Sequence, residues 1–447
     1  MIWDKKMSRR HLLKQMGKYS VAGSLLLLAA ACTPKVQTSK EGSDETETLD
    51  FTGELTLLLG SHMDYLQELA PVYKERYGVD PSIELVTSPD LSNTLTTSFL
   101  ARESPWDVVF NTAQVSADMA DNEWILDLTD RLGDLESHEI LAGSLEAVNF
   151  QDRQFAIPVT SGCPILVWNK EMFEMHDLNP NAPEDWHSTP NSWDEFVEFA
   201  KAMTKNVNGT QHYGLVDAWA DDQVLLTYRA LIQMHGGDVL DEDFQPVMNS
   251  DAGIEALQKM VDLLHTHKCI DPAVTTYTWV FDASPSFLNG TRGMFFTWPF
   301  MADVANDPEE SKIAGNVGFA PNPAVDTSAS ADGSEFLAIP VYSENVEEAW
   351  RFIQLATSYE FQKQQGVNTG WLPIYSELLE DEEVVEANPV APVVKKAYEY
   401  PTRGYYSPNY GRWTEILAHE IHEALNQKKS AKDALNDAAK EIEKIMR

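Results

Sequence analysis

The side chains that could do chemistry in this sequence are flat aromatics set beside polar residues. Twelve tryptophans are present, and Trp106, Trp219, Trp279, Trp298 and Trp371 sit beside turn residues, away from the apolar stripes of the helices. An indole stacks on the apolar C–H face of a sugar ring, while Asp, Asn, Glu or His around it bonds the hydroxyls. The competing role for any one of them is to fill the core, where most tryptophans are found. Two polar segments follow short apolar runs: Ser61-His62-Met63-Asp64 and Asn111-Thr112-Ala113-Gln114. Both fall where an α/β sheet places its ligands, beyond the carboxyl ends of its strands.

Other constellations carry less. His265, His267 and Cys269 resemble metal ligands, but on a helix His267 points away from the other two, and no second ligand pair completes a tetrahedral site. His419-Glu420-Ile421-His422-Glu423 has its histidines three apart, whereas the zincin signature needs them four apart. It reads as a solvated helix face. No nucleophile elbow, P-loop or dinucleotide fingerprint occurs. With 70 Asp and Glu, paired carboxylates are inevitable and identify nothing. Cys163 and Cys269 are compatible with a disulfide in an oxidising compartment, with two buried free thiols the preferred reading. No metal and no cofactor is expected.

Alternating strand and helix signals position these residues. Glu54–Gly60 reads as a buried strand and Ser82–Val86 and Asp107–Phe110 as two further strands, separated by a helix from Leu66 to Tyr77, stopped by Gly78, and another from Leu91 to Ala101. That alternation predicts an α/β fold with a parallel, doubly wound sheet. Later helices start at Asn191, with Ser192 and Glu195 as a capping box, at Ser250-Asp251, at Asn345 and at Ser430. Between them lie strands near Gly293–Thr297, Val317–Ala320 and Phe336–Pro340. The 447 residues suffice for two domains, and no internal repeat is present.

Charge and the N-terminus bound the setting. The formal net charge is −37, which offers no basic footprint for nucleic acid. Ser8-Arg9-Arg10-His11-Leu12-Leu13-Lys14 precedes a non-polar run from Val21 to Ala31. At ~1.5 Å per residue that run is too short to cross the ~30 Å hydrocarbon core, and it reads as an export signal. The paired arginines resemble the twin-arginine address. Leu28-Ala29-Ala30-Ala31-Cys32 resembles a lipobox with Cys32 as the lipid attachment site, although Leu stands four places before the cysteine, where three is usual. Residues 1–32 are thus expected to be a lipoprotein signal and 33–50 a flexible polar tether.

From Glu54 to Met446 the sequence resembles extracellular solute-binding proteins of the maltose/trehalose-binding type, the receptors of ABC importers. Seven segments in order carry the resemblance: Pro105–Phe110; Ala156-Ile157-Pro158 with Val167–Lys170; Pro190–Phe196; Phe287–Met294; Phe296–Pro299; Phe336–Pro340; and Asn345–Ala356. Trp168 stands where the family has Tyr, Thr297 where it has Gly, and Ser334-Glu335 where it has paired glycines. The pocket is therefore expected to differ from that of close sugar binders.

The resemblance implies two α/β lobes that close over a ligand. The first would comprise 51–158 and 328–366, the second 159–327 and 367–447, with crossings near Pro158, Ser328 and Gly366. Trp298 stands at the family's pocket tryptophan, and His62, Asn111 and Glu335 would bond hydroxyls from the opposite lobe. Trp219, Trp279 and Trp371 complete the expected ligand set. The implied partners are a small molecule, a mono- or oligosaccharide above all, the permease subunits and, through Cys32, a membrane; the receptor would act as a monomer on the outer face of the cell membrane. The alternatives are an anchored glycan hydrolase or a receptor for a non-sugar solute. The absence of a nucleophile or metal signature favours the receptor. Replacing Cys32 by Ala should release the protein from membranes or leave it unprocessed, and Arg9→Lys with Arg10→Lys should block export; fractionation reads both.

Overall fold

The computed structural model describes residues 53–403, 407 and 409–446, so the expected signal, Cys32 and tether lie outside the described residues. Nine strands build two sheets: β1 (Thr56–Gly60), β2 (Ser82–Val86), β3 (Val108–Thr112), β4 (Ile157–Thr160), β5 (Ile165–Asn169), β6 (Tyr213–Val216), β7 (Arg292–Thr297), β8 (Val317–Ala320) and β9 (Glu335–Ala338). The first sheet has the order β2-β1-β3-β9-β4 and the second β6-β7-β5-β8.

The sheets are mixed, which corrects the expectation of a parallel sheet. β1 pairs parallel with β2 and β3, as strand–helix–strand units require. β9 runs antiparallel to both β3 and β4. β4 leaves its sheet for β5 of the second, and β9 enters from β8 of the second, so no crossover helix within one sheet joins β4 to β9 and imposes a parallel direction. In the second sheet β6 and β7 are parallel, while β5 is antiparallel to β7 and β8.

The central strands of each sheet are buried, which explains their continuous apolar runs, while the edge strand β2 leaves Ser82, Glu84 and Leu85 exposed. On β5, Leu166 and Trp168 join one core and Ile165 and Val167 another, as period-two alternation dictates. The first sheet has its own core of Leu57–Leu59, Val108–Phe110 and Phe336–Ile339, closed by Phe352 and Ile353 of helix Val346–Ala356. Gly78 ends helix Leu69–Tyr77 with φ 77°, a conformation in which its missing Cβ removes the steric penalty.

The capping box expected at Ser192 and Glu195 does not form. Asn191 precedes the helix with φ 59° and no capping bond. The Ser192 hydroxyl instead donates to Trp186 O at 2.6 Å, and Glu195 accepts from the Trp186 indole at 2.8 Å. Tertiary partners outcompete the local cap, because leaving the buried Trp186 N–H unpaired would cost more than a solvated helix end. Cys163 and Cys269 are both buried and free, in different cores.

Helix Ser192–Met203 lies directly on β6. A Cβ built on Gly214 would stand 2.0 Å from the Ala200 carbonyl oxygen. Backbone cannot yield as a side chain does, so Gly214→Ala should destabilise the protein by roughly 1–3 kcal/mol or more, measured by chemical denaturation.

Candidate functional site

His62 follows β1 and Glu335 opens β9. Because β9 is antiparallel to β3, with Glu335 opposite Thr112, both residues stand at the carboxyl end of the parallel strands. That register joins side chains 273 positions apart: His62 Nε2 lies 2.7 Å from Glu335 Oε1. Burial pulls the His62 pKa down, but the charge of Glu335 and its hydrogen bond outweigh this and hold it above 6.5. The pairing with Glu335 thus favours the protonated imidazole.

Aromatic rings enclose the pair. His62 meets Phe110 edge-on at 5.2 Å and Trp371 at 5.8 Å, and Trp371 stacks on Tyr65 at 6.3 Å. Sequence reading missed Tyr65. Residues 61–68 form 3₁₀ turns broken by a kink at Met63, which sets Tyr65 off any regular helical stripe. The α-helical stripe read from Leu66 onward passes it by. Burial, with the charges of Glu335 and Asp64, pushes the Tyr65 pKa far up, so its hydroxyl stays protonated. Three buried atoms in this cluster, Glu335 Oε2, the Tyr65 hydroxyl and Trp371 Nε1, have no hydrogen-bond partner among the described residues.

A second wall stands on the other sheet. Trp298 follows β7, and its ring lies 6.2 Å from that of Trp279. The indole packs on Gly333, where a Cβ would stand 2.1 Å from its Cζ3. Only Gly permits this approach. Gly333 is two residues from Glu335, so one short segment backs both walls.

Beside Trp298 lies a cavity of about 30 Å³, lined among others by Asp217, Gln223, Thr297 and Asn322. It has room for about two waters but not for a sugar ring. Thr297 Oγ1 and Asn322 Oδ1 are buried and unpartnered there. Asp217 is the only charged residue in the lining. Burial pushes its pKa up to about 6, against hydrogen bonds from Thr227 Oγ1 (2.7 Å), Ala218 N (2.8 Å) and Trp219 Nε1 (2.9 Å).

The structure thus gathers His62, Glu335 and Trp371 on one wall and Trp279 and Trp298 on the other. Two expected site residues are corrected. Trp219 is fully buried with its N–H given to Asp217 and Thr227, so it props a carboxylate and offers no stacking face. Asn111 is also fully buried, its Nδ2 facing Met119 Sδ at 3.5 Å, because strand alternation turns it toward the helix behind the sheet. Trp106 is core as well, its N–H on Glu84. His265 bonds the Leu425 carbonyl at 2.7 Å. Among the described residues no group of three or more His, Cys, Asp or Glu is placed to hold a metal ion.

Segments passing between the sheets are laced together behind these walls. Ser161 N–H donates to Leu372 O (3.1 Å), Thr160 Oγ1 donates to the same carbonyl (2.9 Å), and Ser161 Oγ donates to Pro373 O (2.8 Å). Gly333 N–H donates to Gly162 O at 2.8 Å. The Tyr398 hydroxyl sits among them, 2.9 Å from Gly162 O and 2.7 Å from Asp332 Oδ1.

Residues 59–363 match the family model of the bacterial extracellular solute-binding protein. The chain belongs to this family. Among solved structures, maltose-bound MalE3 of T. maritima is similar at 27% identity and a TM-score of 0.74, covering 88% of this chain and 99% of that one. A binding protein of Agrobacterium radiobacter K84 in complex with ribitol shares the fold, with 23% identity, a TM-score of 0.73, and coverage of 89% and 100%. The erythritol/L-threitol-binding protein of Mycolicibacterium smegmatis is 23% identical over 80% of this chain and 78% of its own length. A probable amino-acid ABC transporter periplasmic-binding protein of Sinorhizobium fredii is 23% identical over 66% of this chain and 65% of its own length. The fold is the two-lobed one of these binding proteins, and the solute-binding protein described here is a receptor, not an enzyme.

The ion pair has a pH signature. His62 is raised in the folded protein, so the pair's stabilisation is complete below 6.5 and is lost as pH rises through the raised value. Thermal melting across that range should show this loss in the native protein, and His62→Gln should remove it.

Proposed function

We propose that this solute-binding protein captures a neutral sugar or polyol between its two lobes and delivers it to the permease of an ABC importer, held at the membrane through Cys32. The observation that carries this reading is the cluster at His62–Glu335. Its unmet atoms are one acceptor, Glu335 Oε2, one donor, Trp371 Nε1, and one hydroxyl that does either, Tyr65. A ligand hydroxyl both donates and accepts, and so matches this set. A carboxylate gives Glu335 nothing, and an ammonium cannot take the Trp371 hydrogen. The other wall supplies indoles for the C–H face of such a ligand.

An anionic solute finds little here. The charges acting on Tyr65 are Glu335 and Asp64, and the cavity at Trp298 carries only Asp217. Relatives named for erythritol and for maltotriose support a polyhydroxylated ligand.

In this reading the lobes are residues 51–158 with 328–366 and residues 159–327 with 367–447. Supporting it, β1–β4 and β9 share one sheet while β5–β8 form the other, and the chain passes between them over Ser161–Pro164 and again before Glu335. Phe361 joins the first core, whereas Leu372, Leu379 and Val384 join one of the second sheet's cores. No helix among the described residues is long and apolar enough to cross a membrane; the anchor in this proposal is the acylated cysteine.

Thermal-shift screening against neutral sugars, polyols, sugar acids and amino sugars tests the reading. A neutral ligand at 100 times its Kd should stabilise the protein by roughly 2.7 kcal/mol. With that ligand, Glu335→Gln and Trp298→Ala should each weaken binding at least tenfold, about 1.4 kcal/mol, while Trp219→Ala should cost about 3–5 kcal/mol of stability. Stabilisation by sugar acids alone would overturn it.

A further inference from the structure

Two contacts outside the ligand walls join the two cores. Asp118 lies in helix Ala113–Asp121, which follows β3 and buries Met119 and Ala120 in the first core. Its Oδ1 accepts the Tyr410 backbone N–H at 3.2 Å, and the backbone N–H groups of Asn409 and Gly411 also bear on this carboxylate. Tyr410 opens a sixteen-residue helix, Tyr410–Leu425, whose Trp413, Leu417 and Ile421 pack in the second core. That helix has no cap of its own. Asn409 precedes it with φ 59°, and its side chain makes no capping bond.

A helix start leaves backbone N–H groups without intrahelical partners and carries the positive end of the dipole. Here the carboxylate that meets both needs comes from the other core. Tyr410 is fixed from its own side, since Arg229 donates to its hydroxyl at 2.6 Å and lies over its ring. The capping bond therefore reports the separation of the lobes and not a loose side chain.

The second contact is Phe244. Its neighbours Val239 and Leu240 belong to the second core, yet its ring stacks on Phe150 of the first core at 5.7 Å and 11°. Phe244 has φ 58°, a conformation that a bulky residue keeps only where its surroundings hold it. The turn that bears it is tied by Phe244 N–H to Asp241 O (3.0 Å) and by Gln245 N–H to Asp241 Oδ1 (2.7 Å), and the stack adds a contact from the other lobe.

We infer that Asp118 and Phe244 are positioning residues that latch the lobes in the closed arrangement, so that closure is driven in part by contacts the ligand never touches. This rests on the two-lobe reading above. A receptor with built-in closing contacts populates its binding-competent form before ligand arrives, and its apparent affinity scales with that fraction. Loosening a latch weakens capture without altering any residue that faces the ligand.

Small-angle scattering of the ligand-free protein tests the latch whatever the ligand is. Asp118→Ala and Phe244→Ser should each enlarge the radius of gyration, with melting curves confirming folded protein. Asp118→Asn keeps an acceptor of equal capping strength and should scatter like the native chain. With the sugar or polyol found by screening, Asp118→Ala should release it about fivefold faster, the equivalent of one lost cap of about 1 kcal/mol. Native scattering from both Asp118→Ala and Phe244→Ser would overturn the latch. Failure of the underlying reading shows differently: no sugar or polyol would then raise the melting temperature of the native protein, whatever the variants scatter.

Discussion

The constraint on which the rest depends is the satisfaction of buried backbone groups where the chain passes between its two sheets. A segment leaving a sheet loses its ladder partners, and each unpaired buried N–H or C=O costs about 1–3 kcal/mol. This chain meets the demand with side chains. The Gln362 and Gln365 amides both donate to Val159 O at 3.1 Å, and Gln362 Oε1 accepts from Ile374 N–H. Tyr398 does the same for Gly162, which it both donates to and accepts from. Such a seam ties the two sheets together through side-chain-to-backbone hydrogen bonds, with Thr160, Ser161, Gln362 and Gln365 buried among them.

The site inherits its geometry from that seam. Gly333 is held by its bond to Gly162, lies under Trp298, and leads in two residues to Glu335. Seating the indole against the segment that carries the carboxylate constrains their separation, so little order has to be gained when a ligand binds. The charge arrangement follows the same economy. Glu335 is balanced by His62, while Asp217, with no cation beside it, is held by three neutral donors and driven toward protonation by burial.

Several features were legible because they rest on local rules. The Ser82–Val86 and Val317–Ala320 strands and the stop at Gly78 came directly from apolar runs and a glycine. The period of Ala349, Phe352, Ile353 and Ala356 gave the inward face of their helix. His62 and Glu335 were singled out by position alone, one after a strand and one in place of a family glycine. Their pairing was not readable, since it depends on an antiparallel register between strands more than 220 residues apart.

What the sequence determined by itself was the class of fold and the family, because periodicity, motif order and residue type are properties of short windows. What only the tertiary structure decided was which tryptophans are spent in the core. Trp219 and Trp298 both follow strands of the second sheet, yet one is spent holding Asp217 while the other lies against Gly333 at the crossing. The same limit hid Tyr65, the loss of Asn111 to the helix side, and the capping of Tyr410 by Asp118. Each turns on the direction a side chain takes once two distant elements have packed, and local sequence carries no information about that packing.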